Sequence, residues 1–161
     1  MTNTYTPLAT ITLTSTDSEI VFASIPATYR DLIMVANFSY SGGSGDTILR
    51  VNGDSSSIYN AVWMNGTGSA AQSGNESSRA YMNPLYSAGA GRAVMIWQLF
   101  DYSATDKHKT SLIRTSTASG SVVATAGRWA STSAITSITI RDFANDTFAT
   151  GSTFSLYGVI A

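Results

Sequence analysis

The chain has 161 residues, with nine Lys and Arg against ten Asp and Glu, one His, no Cys and only 12% charged residues. Scattered cations exclude a positive face for nucleic acid or an anionic membrane, and 43% apolar content is too high for disorder. The missing Cys removes disulfides, thiolate nucleophiles and Cys-based zinc sites, while 24 Ser and 21 Thr give an uncharged surface rich in hydrogen-bonding groups.

One domain over 1–161 is expected, since a single core fills a chain of this length. No basic segment followed by an apolar run opens the sequence, so no secretory signal is read. No window reaches the ~20 apolar residues of a membrane helix.

Apolar residues recur at spacing two among Thr, Val and Ile, which predicts an almost all-β chain. Residues 9–14 and 19–23 are the first predicted strands. Residues 31–40 are the third, with Leu32, Met34, Ala36 and Phe38 on one face and Ile33 and Val35 starting the other; two apolar faces suit a central strand. Residues 47–52 follow and end at Asn52-Gly53, a tight-turn dipeptide in which both residues tolerate positive φ.

Further strands are predicted at 59–64, 80–85 and 92–102. The stretch at 65–78 is rich in Gly, Ser, Ala and Asn and holds no core residue, so it is expected to be a flexible loop, or ordered only against a neighbour. Residues 109–117, 121–125, 134–141 and 153–160 complete the set. Short strands at this rhythm predict a jelly-roll-like antiparallel β-sandwich of about 8–10 strands, with both chain ends inside the sheets.

Catalytic chemistry finds little support. His108 lies in the polar turn Asp106-Lys-His-Lys109, and no nucleophile elbow, His-Glu-x-x-His pair or phosphate-binding loop occurs. Of the eight Asp, residues 17, 46, 54, 106 and 146 fall in turns, where a carboxylate bonds nearby backbone N–H groups. The chain is therefore read as a non-enzyme. Asp142–Asp146 and Asn52–Asp54 offer hard oxygen ligands without the spacing of a calcium loop, so no metal and no cofactor is expected.

Glycan binding is the plausible chemistry outside assembly. Trp97 sits mid-strand and is expected in the core, whereas Trp63 beside the 65–78 stretch and Trp129 after Gly127-Arg128 are expected to be exposed. With Asn65 and Asn75, these two are the candidate contacts for a partner or a sugar.

Three stretches carry a resemblance. They are Phe22-Ala-Ser-Ile-Pro-Ala-Thr-Tyr-Arg-Asp-Leu32; Leu49-Arg-Val-Asn-Gly-Asp-Ser-Ser-Ser-Ile-Tyr59; and Gly127-Arg-Trp129 with Ser133-Ala-Ile-Thr-Ser-Ile-Thr-Ile140 and Gly151-Ser-Thr-Phe-Ser-Leu-Tyr-Gly-Val159. In these the chain resembles the small structural proteins of tailed bacteriophages of aquatic bacteria. The resemblance implies a jelly-roll virion protein that decorates or cements the capsid surface, made in the host cytoplasm. Its implied partners are copies of itself, as a homotrimer, and the major capsid protein. The alternative is a tail-fibre, spike or head-fibre component that binds a host-surface glycan.

The resemblance brings no catalytic residue, and the matched motifs read as fold-fixing. Pro26 stiffens a connection, Tyr29 can fold over a sheet edge with its hydroxyl on backbone, and Arg30 and Asp31 open a strand. Asn52 and Gly53 set a register, and Asp54 satisfies loose amides.

Overall fold

The computed structural model describes residues 4–42, 45–83 and 91–160. Eleven strands follow one another: β1 (Tyr5–Thr12), β2 (Glu19–Phe22), β3 (Asp31–Phe38), β4 (Thr47–Val51), β5 (Tyr59–Gly66), β6 (Ala71–Arg79), β7 (Ala93–Phe100), β8 (Lys109–Thr117), β9 (Val122–Trp129), β10 (Ile138–Asp142) and β11 (Thr153–Val159). Among the described residues there is no helix. The strands form a long sheet in the order β1-β11-β3-β7-β8-β9-β5-β6 and a short one in the order β2-β10-β4, antiparallel throughout. The protein is an all-β, jelly-roll-like sandwich.

Strand parity explains the core. In β3, Leu32, Met34, Ala36 and Phe38 are buried on the inner face while Ile33, Val35 and Asn37 are half-buried on the other. This is the central position predicted for it, between β11 and β7. The short sheet supplies Ile20, Phe22, Leu49, Val51, Ile138 and Ile140 to the same core. At one end Phe38, Phe148 and Phe154 stack and cross with ring centroids 5.1–5.9 Å apart. The first and last strands both belong to the long sheet, β1 pairing β11 from Tyr5–Val159 to Thr12–Thr153.

Three predicted segments differ. The expected loop at 65–78 is mostly a hairpin: β5 runs to Gly66, Thr67 N–H donates to Ala70 O at 3.0 Å, and β6 returns along β5. A strand with seven of nine residues exposed shows no apolar alternation, so its sequence looks like a loop. The predicted strand at 80–85 reduces to a bridge between Met82 and Leu49; residues 84 and 85 lie outside the described residues. The strand predicted at 121–125 extends to Trp129, because Gly127 is a strand residue whose missing side chain makes room for the Met82 thioether.

Most motif residues hold backbone in place. Asn52 (φ 53°) and Gly53 (φ 65°) make the turn after β4. The Asn52 amide donates to Ala134 O at 2.8 Å and accepts from Thr136 N–H at 2.8 Å, tying that turn to the approach of β10. Asp54 accepts from Ser56 N–H at 2.8 Å and from the Trp129 indole N–H at 2.7 Å. Arg30 pairs with Asp31 at 2.7 Å, and Asp31 accepts from Asp101 N–H at 2.9 Å. The Tyr29 ring lies over Gly158, while the hydroxyl-to-backbone bond in this corner is made by Tyr102, which donates to Pro26 O.

Candidate functional site

The inner face of the long sheet is occupied by the core, so an interaction surface has to be sought on its outer face. Register builds that face row by row. One row runs Ile33, Gln98, Leu112, Ala126, Val62 and Asn75 across β3, β7, β8, β9, β5 and β6. The next runs Val35, Ile96, Arg114, Ala124, Met64 and Ser73 over the same strands. Val94 and Val122 lie one row further on, both opposite Ser116.

Five of these apolar side chains, Val62, Met64, Val94, Leu112 and Val122, are 42–63% exposed. Apolar residues scattered singly over a surface need no explanation, but this group shares one face. The face carries grooves. A groove of ≈ 570 Å³ is lined by Val62, Leu112 and Ala126 together with Asn75, Phe100 and Arg128. A second of ≈ 430 Å³ adjoins it and adds Met64, Arg114 and Ala124.

The electrostatics are one-sided. The outward positions of β7, β8, β9 and β5 carry Arg114 and Arg128, both exposed, and no carboxylate. Glu76, at the β6 rim, is paired with Arg79 at 3.6 Å. The surface is thus apolar with cationic points.

The sequence-predicted contacts are not brought together. Trp129, expected to be exposed, is 4% exposed and belongs to the core, where its indole N–H serves Asp54. Trp63 is half-buried on the inner side of β5, its ring against Gly74 of β6. Asn65 is buried and accepts from the Ser121 hydroxyl at 2.7 Å. Only Asn75 is exposed and lines the groove.

The carboxylates near Asp142 are occupied. Asp142 accepts from Asp46 N–H at 2.7 Å and Asp146 N–H at 2.9 Å, and Asp146 accepts from Thr147 N–H at 2.7 Å and Gly42 N–H at 3.1 Å. These are turn-forming Asp of the kind the sequence favours. Among the described residues no group of three or more His, Cys, Asp or Glu could hold a metal ion. His108 lies exposed in its turn.

Lys109 was missed by sequence reasoning, although parity could have found it, since Lys109, Ser111, Ile113 and Thr115 share the inward row. Its ammonium donates to Lys107 O at 2.8 Å and Thr132 O at 3.2 Å, and burial pushes its pKa down. That is a loop anchor rather than a reactive amine.

No family model matches the chain, and no curated protein matches it. Among solved structures it is similar to the galectin LEC-6 of Caenorhabditis elegans, at 8% identity and a TM-score of 0.40, over 94% of this chain and 96% of the galectin. It is also similar to a mutant of the alginate lyase Aly36B in complex with an alginate tetrasaccharide, at 10% identity and a TM-score of 0.27, over 88% of this chain and 79% of the lyase. Likenesses this distant bear on neither ligand nor activity.

Proposed function

We propose that the chain is a non-enzymatic structural protein of a tailed-phage virion, which decorates or cements the capsid by seating the outer face of its long sheet on the major capsid protein. The observation that supports this most is the shared exposure of Val62, Met64, Leu112 and Val122 on one face of the sheet. Apolar area that water covers in the free protein stabilises a complex when a partner covers it. Arg114 and Arg128 define that partner's chemistry: apolar ground with carboxylates placed to meet two guanidinium groups. A protein that binds only the assembled lattice stabilises the assembled state by mass action.

The test uses virions assembled with the wild-type chain or with Val62→Asp/Leu112→Asp, a variant that places carboxylates on the docking face. Loss of the variant from purified particles, with its circular dichroism unchanged in solution, is the expected result. Retention at wild-type copy number would overturn the docking face, and absence of the wild-type chain from particles would overturn the role.

A second reading, a fibre or spike component binding a host-surface glycan, draws on the same groove. There Phe100 offers a ring, and Asn75, Thr110 and Arg128 offer hydrogen bonds. Saturable binding on a glycan array that disappears with Arg128→Ala would favour it over the first.

A further inference from the structure

We propose that β6 is an assembly strand, pairing antiparallel with β6 of a second copy about a twofold axis at Gly74 and so extending the long sheet to sixteen strands. The proposal concerns the edge of the sheet and does not rest on the docking face.

β6 ends the long sheet, and among the described residues no strand pairs with its free side. With seven of nine residues exposed, side-chain burial gives it little reason to be an extended strand of this length. Its ladder with β5 is what holds it, leaving alternate N–H and C=O groups presented to solvent on the other side.

The devices that natural sheets use to blunt such an edge are largely missing. The opposite edge, β1, has Pro7, which donates no hydrogen bond, and a bulge between Pro7 and Ala9. β6 has no Pro and no Lys. Its own irregularity comes at the far end, where residues 77 and 78 both fall opposite Asn60 and Ser78 has φ 53°. Residues 71–76 pair with β5 without a break, and Ser77 precedes the left-handed residue.

The run 71–77 is self-complementary about its centre. With Gly74 on the axis, Asn75 faces Ser73 of the second copy on the outer side, amide against hydroxyl. On the inner side Glu76 faces Gln72 of the second copy, carboxylate against amide. The one inward charge that would discourage a neighbour thus meets a donor. No like charges stand opposite, and the axis falls on a residue with no side chain, over which the Trp63 ring already lies.

Seven residues make a paired edge about 24 Å long, short of what a standard protein–protein interface buries, so the dimer forms with rising concentration rather than permanently. The symmetry is twofold, where the resemblance to phage proteins implies a threefold, and mass decides between them.

Two measurements on the free protein test the pairing. The first is light scattering across concentration. A shift from one 17.0 kDa chain towards two is expected, and Ser73→Lys/Asn75→Lys, which sets lysines opposite one another, abolishes it with unchanged circular dichroism. A mass that stays at one chain up to millimolar concentration, or that settles at three, overturns the proposal.

The second measurement exploits the Cys-free sequence. Under mild oxidation, a mixture of Ser73→Cys and Asn75→Cys proteins gives a disulfide-linked pair at about tenfold the yield of either variant alone, because only residues 73 and 75 stand directly opposite. Equal yields in all three samples, or none above a Thr10→Cys control on the β1 edge, overturns the register.

Discussion

The two ends of the long sheet are built on the same device and differ in what backs it. At the β1 end the Tyr29 ring lies over Gly158 of β11; at the β6 end the Trp63 ring lies over Gly74. On β1, Leu8 and Ile11 pack against a core that holds Phe38, Phe148 and Phe154. The β6 strand contributes no residue to that core, and of the inward positions on β5 beside it only Tyr59 belongs to the core, with Ala61, the half-buried Trp63 and Asn65 completing the row. One end is sealed by packing, the other held by a backbone ladder. The second is the end expected to open locally at the lower cost.

Gly158→Val tests the sealed end and carries the largest expected effect. The first atom of a side chain there would overlap the base of the Tyr29 ring, which cannot swing aside as a flexible tip would. Because β11 lies between β1 and β3, the strain falls on two ladders at once. Stability should fall by about 3 kcal/mol, roughly 10 °C in Tm. A loss under about 1 kcal/mol would show that this end is not packed tightly.

Alkaline titration comes next and reads the β6 half from below. Tyr59 of β5 is buried with its hydroxyl accepting from Val51 N–H at 3.2 Å and donating to Asp54 O at 3.1 Å. Burial pushes its pKa up to about 12 from 10.0, against a smaller lowering by the Val51 hydrogen bond. The folded pKa lies above the unfolded one, so this contribution is complete below pH 10 and is lost as pH rises from 10 to 12, where the unfolded chain gives up its proton first. Each pH unit in that window costs up to about 1.4 kcal/mol. Burial raises Tyr40, at the sealed end, further in the same direction. Denaturant midpoints against pH should therefore decline less steeply for Tyr59→Phe than for the wild type; identical slopes would remove Tyr59 from the account.

Trp129→Phe is a smaller change at the same half, replacing the indole by a smaller aromatic ring and deleting the 2.7 Å bond to Asp54. About 1 kcal/mol should be lost. Burial tends to raise the Asp54 pKa, but hydrogen bonds from Ser56 and from the Trp129 indole outweigh it and hold the carboxyl below its usual value. Its stabilising share is present above the ordinary carboxylate range and disappears as pH falls through the lowered pKa. In the variant that acid limb should begin at higher pH, as read by carboxyl chemical shifts.

What the sequence made legible follows the same division. β3 and β7 could be read because buried strands leave alternating or continuous apolar runs, and the turn at Asn52-Gly53 because few residues accept its φ. β6 could not, since Ala71–Arg79 is held by backbone groups that every residue possesses. Trp129 looked exposed because Gly127-Arg128 resembles a turn; in the fold Gly127 makes room for the Met82 side chain. The outer face was hidden for a different reason. Both rows of β5 and β8 contain apolar residues, and parity alone does not say which row the short sheet covers.

The smallest effect expected is also the one that separates the two ends most cleanly. In Gly74→Ala the new methyl would come 2.6 Å from the Trp63 indole, as close a conflict as its counterpart at Gly158 tolerates poorly. Here, however, the ring is half-buried and the strand beneath it exposed, so both can yield. Tm should move by no more than about 2 °C, in keeping with a change that unseats no core residue. Hydrogen exchange should show the cost locally: amides of β5 and β6 that pair with each other lose protection, while those of β1 and β11 keep theirs. If the β1 amides opened as well, the two ends would be one cooperative unit and the difference between them would lie in packing alone.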